Sequence, residues 1–224
     1  MEIVPGIHRI DGIFPNNSYL VVDGGPILID TGFPGNCVRI LRYLRSIGLC
    51  KTSLKAVVLT HSHIDHMGSA GNVSAATGAE VWAHKSGASS IEGRRPAEGY
   101  GSLLGRCSHT LSGLVKAPVH RMLSEGDVIE CLDGLQVIHT PGHTEGSICL
   151  YQEKKGVLFS GDTVQYRLRR IRTPIGIFNQ DSRQLDDSIE RISKLSFEYM
   201  LPGDGVPLLG GASNLLREFF RKQV

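Results

Sequence analysis

Three histidines and an aspartate stand within six residues in HSHIDH, residues 61 to 66. His61 and His63, two apart in an extended segment, can approach one metal ion from the same side. Asp65 and His66 lie beyond a bend and can face a second ion beside it. Imidazole and carboxylate donors suit zinc, iron or manganese. A second histidine signal is TPGHTEGS, residues 140 to 147, where Pro141 and Gly142 make a sharp turn, His143 projects from its tip and Thr144 braces the loop. His139, two residues earlier, reads as a packed or surface histidine. In FSGDTV, Asp162 ends an apolar segment, where an ionised carboxylate is costly unless cations lie beside it, and its two oxygens could bridge two ions. Asp30 in LIDTG has the same setting and is expected to orient a ligand histidine or brace its loop. Asp204, between the glycines of LPGDGVPL, is either a ligand or a turn residue.

Such side chains need rigid strand ends beneath them. IHRI, SYLVVDG and PILIDTG read as short strands, the last two forming a hairpin through Gly24-Gly25-Pro26. CVRILRYLRSIGL suits an amphipathic helix stopped by Gly48, with Val38, Leu41 and Leu44 inward and Ile40 and Ile47 nearby. KAVVLT, residues 55 to 60, is a short apolar strand of the buried kind and leads straight into HSHIDH. SAGNVSAATG reads as a small-residue helix and EVWAH as a strand. Residues 86–120 lack a clear period and are expected to form a lid or pocket insertion anchored by Tyr100, Leu103, Leu104, Leu111, Leu114 and Val115. DVIECL, LQVIHT, SICLYQ and GVLFSGD read as further strands. SRQLDDSIERISKLS reads as a helix capped by Asp181 with Leu185, Ile189, Ile192 and Leu195 inward. EYMLP is a short strand and ASNLLREFFRK a last helix. Strands and a helix, then strands and a helix, suit two sheets packed face to face with helices outside, in one domain over 1–224.

The 224 residues suffice for one substantial core, and 24 basic against 22 acidic residues argue for no particular polyanionic partner. No apolar run reaches the roughly 18 residues of a membrane span, and MEIVPGIHRI lacks a signal-peptide pattern, so a cytoplasmic location is expected. Five cysteines, odd in number and without a CxxC pair, fit reduced thiols better than a disulfide framework or thiolate zinc site.

With these motifs assembled, the chain resembles the metallo-beta-lactamase superfamily, in particular its glyoxalase-II-like hydrolases. HSHIDH matches the superfamily's HxHxDH signature, TPGHTEGS and FSGDT its later histidine and aspartate loops, and LIDTG and LPGDG complete the order. The resemblance implies an α+β fold, a four-layer αββα sandwich with a binuclear metal centre at one edge. It places His61, His63 and His143 on the first ion, Asp65 and His66 on the second, and Asp162 between them. The family usually supplies one more histidine from a PGHG loop; here PGDG puts Asp204 at that position. Asp204 is read as a ligand, with an outer-sphere carboxylate, or a centre filled at its first position alone, as alternatives. The expected cofactors are two divalent ions, zinc first, with iron or manganese as the other candidates.

The implied chemistry is metal-assisted hydrolysis of an ester, thioester or lactone: hydroxide held by the ions attacks the carbonyl, with Asp65 orienting the water or accepting its proton. The expected partner is a small-molecule substrate. Tyr166 could donate it a hydrogen bond. Arg167, Arg169, Arg170 and Arg172 in RLRRIR could recognise an anionic group, a solvated basic loop being the plainer reading. A nucleic acid is not expected, since the arginines lack interleaved aromatics, and no membrane is expected; a homodimer is left open. About 20 residues follow Asp204, fewer than glyoxalase II proper carries there. A mononuclear-iron persulfide dioxygenase is the main alternative, followed by a phosphodiesterase, a beta-lactamase and a non-enzymatic binding module.

Overall fold

Alternation within each short strand decides the layering. In the strand Ile27–Ile29, Ile27 and Ile29 point to one apolar cluster and Leu28 to another, and all three are buried. A strand buried on both faces needs a layer on each side. The structure, a computed structural model that describes residues 1–95 and 115–222, supplies both layers.

The first sheet runs β1 (Glu2–Val4), β2 (Ile7–Arg9), β3 (Tyr19–Val21), β4 (Ile27–Ile29), β5 (Ala56–Leu59), β6 (Glu80–His84) and β7 (Arg121–Leu123), in that order. Its first four strands are antiparallel neighbours and β4 to β7 are parallel. The second sheet contains β8 (Val128–Ile129), β9 (Leu135–His139), β10 (Ile148–Gln152), β11 (Val157–Gly161), β14 (Tyr199–Pro202) and β15 (Leu208–Leu209), with β14 parallel to β11. Val21, Ile29 and Val58 of one sheet meet Val137, Leu150 and Phe159 of the other in the inter-sheet core. Helices α1 (Cys37–Ser46) and α3 (Ala70–Thr77) cover the outer face of the first sheet through Ile40, Leu44 and Val73. Helices α5 (Ser182–Ser193) and α6 (Ala212–Arg221) cover the second through Leu185, Ile189, Ile192 and Leu216. The architecture is αββα. Two four-residue helices, α2 (Ile64–Met67) and α4 (Ala88–Ile91), lie in the connections.

Several expectations change. Val38 is exposed, because the stripe of α1 runs through Ile40 and Leu44 and Val38 lies off it in the first turn. DVIECL is a strand only at Val128–Ile129; Leu132 and Asp133 then adopt left-handed backbone angles that end the pairing. The basic segment 167 to 172 is no open loop: β12 (Gln165–Arg167) and β13 (Arg170–Arg172) form a hairpin whose tip, Leu168 and Arg169, has positive φ at both residues. Such a two-residue turn matches the twist of paired strands. Asp181 caps α5 as expected, accepting from the backbone N–H of Arg183 and Gln184. Within 86–120, Ile91 and Ala117 are buried and Val115 packs against the helical face; Tyr100, Leu103, Leu104, Leu111 and Leu114, the other expected anchors, lie outside the described residues.

The sheets come together at the edge where β4, β5, β9, β11 and β14 end. The Ile148 N–H donates to Thr60 O at 2.9 Å, the Asn17 N–H to Gly203 O at 2.7 Å and the Tyr19 hydroxyl to Pro202 O at 2.8 Å. Gly161 allows this approach: a Cβ there would meet the Thr60 Cβ at 2.9 Å.

Candidate metal centre

Each functional side chain sits just beyond a strand end at that edge. Asp30 follows β4, His61 to His66 follow β5, His143 lies between β9 and β10, Asp162 follows β11, and Asp204 follows β14. His61, His63, His66, His143, Asp30 and Asp162 are buried, whereas Asp65 and Asp204 are half-buried at the rim.

Three groups of donors converge. His61, His63 and His143 form one; His61, His66 and Asp162 a second; Asp65, His66 and Asp204 a third, with the donor atoms of each group within 4.8 Å of one another. The imidazole rings are set edge to face, with centroids 4.8 Å apart for His61 and His63 and 4.5 Å for His63 and His143. The two Asp162 oxygens look in different directions. Oδ1 lies 3.6 Å from His66 Nε2, and Oδ2 lies 3.9 Å from His143 Nε2.

Whether these residues fit a metal can be tested on the buried atoms. His61 Nε2, His143 Nε2 and Asp162 Oδ1 are fully buried and have no hydrogen-bond partner among the described residues. Buried polar atoms are otherwise almost always paired. Three such atoms aimed into one pocket are suited to a cation. The other ring nitrogens are held by the protein. His143 Nδ1 lies 3.0 Å from Asn179 Oδ1, His66 Nδ1 lies 3.0 Å from Asp30 Oδ2, and His61 Nδ1 lies 3.1 Å from Thr60 Oγ1. Contacts of this kind fix ring orientation and tautomer, leaving Nε2 with its lone pair toward the pocket. The donor set fits divalent ions.

The electrostatics agree. Burial, then the neighbouring histidines His66, His63 and His143, holds His61 well below the usual imidazole range. Burial and then His63 bring His143 down to about 3. Both rings are therefore neutral at physiological pH, the form that binds metal. Burial works against charge on His66 as well, but Asp162, Asp65 and the Asp30 hydrogen bond together raise it well above its ordinary value. Asp162 is pushed up to about 7, chiefly by burial against the opposing pull of His66. Burial raises Asp65 too, but His66 and His63 outweigh it and leave its carboxyl below the usual range.

Asp30 contacts the His66 ring, so it orients that histidine, and it also accepts from the Thr60 N–H and hydroxyl at 2.8 and 2.7 Å. Tyr166 is on β12, half-buried, with its ring against the core under α5 and α6 and its backbone bridged to Gly205. Arg167, Arg169, Arg170 and Arg172 are exposed on the hairpin; burial raises the Asp204 carboxyl against the pull of His66 and the weaker pull of Arg167. His139 stacks on His84 with centroids 3.8 Å apart and takes no part in the three groups.

Three residues of the centre were not anticipated. Asn179 buttresses His143, and Gln165 stands 3.4 Å from carboxylate oxygens of both Asp162 and Asp204. Asn16, buried, reaches Asp65 and Asp204 at 2.8 Å each. Its only signal in the sequence was an unusual pair of asparagines, Asn16 and Asn17, directly before an apolar strand.

The family model described as the metallo-beta-lactamase superfamily matches residues 11–204, and so ends on Asp204. A probable metallo-hydrolase of Bacillus subtilis, YflN, is 27% identical over 93% of this chain and 87% of its own length. The hydroxyacylglutathione hydrolase GloC of Haemophilus influenzae is 28% identical over 67% of this chain and 68% of its own. A 45-residue stretch is 56% identical to the acyl-coenzyme A thioesterase MBLAC2 of Gallus gallus, covering 20% of this chain and 16% of that one. Among solved structures, the class B3 di-zinc metallo-beta-lactamase LRA-12 from an Alaskan soil metagenome superposes with a TM-score of 0.75 at 19% identity, over 99% of this chain and 90% of its own. At that identity the likeness is one of fold.

Proposed function

We propose that this chain, which belongs to the metallo-beta-lactamase superfamily, is a metal-dependent hydrolase whose substrate is a thioester, with esters and lactones as related carbonyl substrates. The observation that carries it is the convergence of unpartnered buried nitrogens of His61 and His143 beside His63. In this reading His61, His63 and His143 would hold one ion, Asp65, His66 and Asp204 would hold the other, and Asp162 would serve both. Bound divalent ions would supply an acidified water and a Lewis acid for the substrate carbonyl.

The chain's residues do the rest. Asp65, ionised at neutral pH and a quarter exposed, stands at the open side of the cluster, where it can orient water and take up its proton. Asp30 and Asn179 fix the orientation of the His66 and His143 rings. The thioester preference is supported by the hydroxyacylglutathione hydrolase and acyl-coenzyme A thioesterase among the relatives. In this reading Arg167, whose side chain lies beside Gly205, would meet an anionic thiol carrier.

Elemental analysis of unsupplemented protein, followed by a panel of thioester, ester, lactone and phosphodiester substrates, tests the proposal. Transition metal at one to two ions per chain and thioester turnover are expected, both lost in His61→Ala. A single iron with oxygen consumption on a persulfide would replace it with the dioxygenase alternative. Metal occupancy unchanged in His61→Ala would refute the ligand assignment.

A further inference from the structure

Asn16 stands where no sequence motif placed a functional residue. Its Nδ2 lies 2.8 Å from Asp65 Oδ2, 2.8 Å from Asp204 Oδ1 and 3.3 Å from His66 Nε2. Those three residues are one of the convergent donor groups. Donors bound to one ion at about 2.1 Å stand roughly 3.0 to 3.5 Å from one another around it. The end of the Asn16 side chain thus has nearly the spacing of a fourth donor to the ion that the other three would hold.

Hydrogen bonding alone accounts poorly for this position. The two N–H groups serve Asp65 and Asp204, so the same nitrogen meets His66 Nε2 at 3.3 Å as a third acceptor or, when that ring is charged, as an opposed N–H donor. His66 Nε2 offers one lone pair if Nδ1 donates to Asp30, so it cannot serve both an amide and an ion. The other end of the carboxamide, Oδ1, is buried without a partner among the described residues, and the whole residue is 1% exposed. A half turn about the last side-chain bond exchanges Oδ1 and Nδ2 with no change of shape. The backbone is fixed meanwhile by its bridge to Asp204, so the side chain is held in place for either end.

We infer that Asn16 is a ligand of the second ion, presenting its carboxamide oxygen beside Asp65, Asp204 and His66. This rests on the metallo-hydrolase reading above and adds to it the character of the second half-site. One half of the centre then has three imidazoles and a share of Asp162, and the other has Asp65, Asp204, Asn16 and a share of Asp162 around a single imidazole. Oxygen-rich sites suit harder ions such as manganese and iron(II), and imidazole-rich sites suit zinc. The two halves are therefore matched to different metals.

Calorimetric titration of metal-stripped protein with Zn(II) and with Mn(II), paired with elemental analysis, tests this in the wild type, Asn16→Leu and Asn16→Asp. Leucine keeps the shape and removes the oxygen; aspartate keeps an oxygen and adds charge. Two ions per wild-type chain are expected. Asn16→Leu should keep the first at wild-type affinity and bind the second at least about tenfold more weakly, while Asn16→Asp should hold it as tightly or more tightly. Equal or tighter binding of the second ion in Asn16→Leu would overturn the inference, tighter binding being what a plugging side chain predicts. So would a wild type that takes up only one ion. If Asn16→Leu fails to fold, weakened second-ion binding in Asn16→Asp overturns it too. A wild type that binds no ion at all would instead sink the metallo-hydrolase reading.

Discussion

Replacing Asp30 by asparagine should cost the second ion its only imidazole. Asp30 is buried and accepts three hydrogen bonds, from the Thr60 N–H to Oδ1 and from the Thr60 hydroxyl and His66 Nδ1 to Oδ2. A carboxylate only accepts, so Nδ1 keeps its proton, and the second proton that Asp162 and Asp65 favour on this ring is the one an ion would displace from Nε2. Its backbone has φ of 55°, which asparagine tolerates as well as aspartate does, so the substitution changes hydrogen bonding and not the turn. If the new amide turns its N–H2 to His66, Nδ1 must accept, the proton moves to Nε2, and the lone pair for metal is gone. Loss of such an orienting partner typically weakens metal binding about 10- to 100-fold, or roughly 1.4 to 2.8 kcal/mol. If the amide turns the other way, its N–H2 meets the Thr60 N–H, and two buried donors in opposition cost about 1 to 3 kcal/mol of stability. Metal titration reads the first outcome, a thermal melt of the stripped protein reads the second, and nitrogen-15 spectra report the His66 tautomer directly. Second-ion affinity within about threefold of wild type together with an unchanged melt would refute the reasoning.

Other perturbations have equally definite outcomes. A Cβ at Gly203 would meet His66 Cε1 at 2.6 Å and Asp162 Oδ1 at 2.8 Å, and the loop is pinned by Gly203 N–H to Gly161 O at 2.8 Å. Gly203→Ala should therefore lose about 1 to 3 kcal/mol, a fall in Tm of roughly 2 to 12 °C, along with metal affinity. An unaltered melt and unaltered stoichiometry would contradict the packing. Cys50 is exposed, and its thiol is lowered by the Thr52 hydroxyl; Cys131 and Cys149 are buried, and burial pushes them up to about 12 and about 11. Mass-mapped alkylation near pH 7.5 should thus modify Cys50 far faster than Cys131 or Cys149, which should react only on unfolding. Burial, then His139, lowers His84 to about 4, below its unfolded value of 6.5. Between those limits the unfolded chain takes up a proton that the folded one refuses, so stability falls as pH drops from about 6.5 to about 4 and levels off beyond. After allowance for solvent screening this amounts to about 1 to 2 kcal/mol, and His84→Asn should flatten that part of the profile in denaturant titrations. An identical slope in wild type and variant would show that other groups carry it.

Much of the site was legible because its residues are dense in sequence or sit at strand ends. HSHIDH announces itself, and KAVVLT before it fixes the strand that holds it. Asp162 and Asp30 were found by the same cue, a carboxylate closing an apolar run. What escaped depends on contacts across the sandwich. Nothing near Asn16 in sequence indicates that it lies 2.8 Å from Asp204, 188 residues away. The strand Arg121–Leu123 was missed because Arg121 and Met122 are exposed on the edge of their sheet, leaving no alternation to read. The arginine hairpin was hidden by its composition, since four cations in six residues suggest a solvated loop and only Ile171 is buried among them.

The stitching of the two sheets beside Thr60, Pro202 and Gly203 has a thermodynamic consequence. Donors from the first sheet (His61, His63, Asp65 and His66) and from the second (His143, Asp162 and Asp204) converge at one edge, so in the proposed metal centre ion binding and docking of the two halves would be linked equilibria. A defect deep in the sandwich, such as a smaller side chain at Phe159 in the inter-sheet core, would reach the ligands as a shift in the seam. Metal affinity then becomes a reporter of how well the halves are mated, sensitive to packing faults that touch none of the donor atoms. In the opposite sense, each bound ion would act as a reversible crosslink between distant parts of the chain, the first joining His61 to His143 and the second joining Asp65 to Asp204.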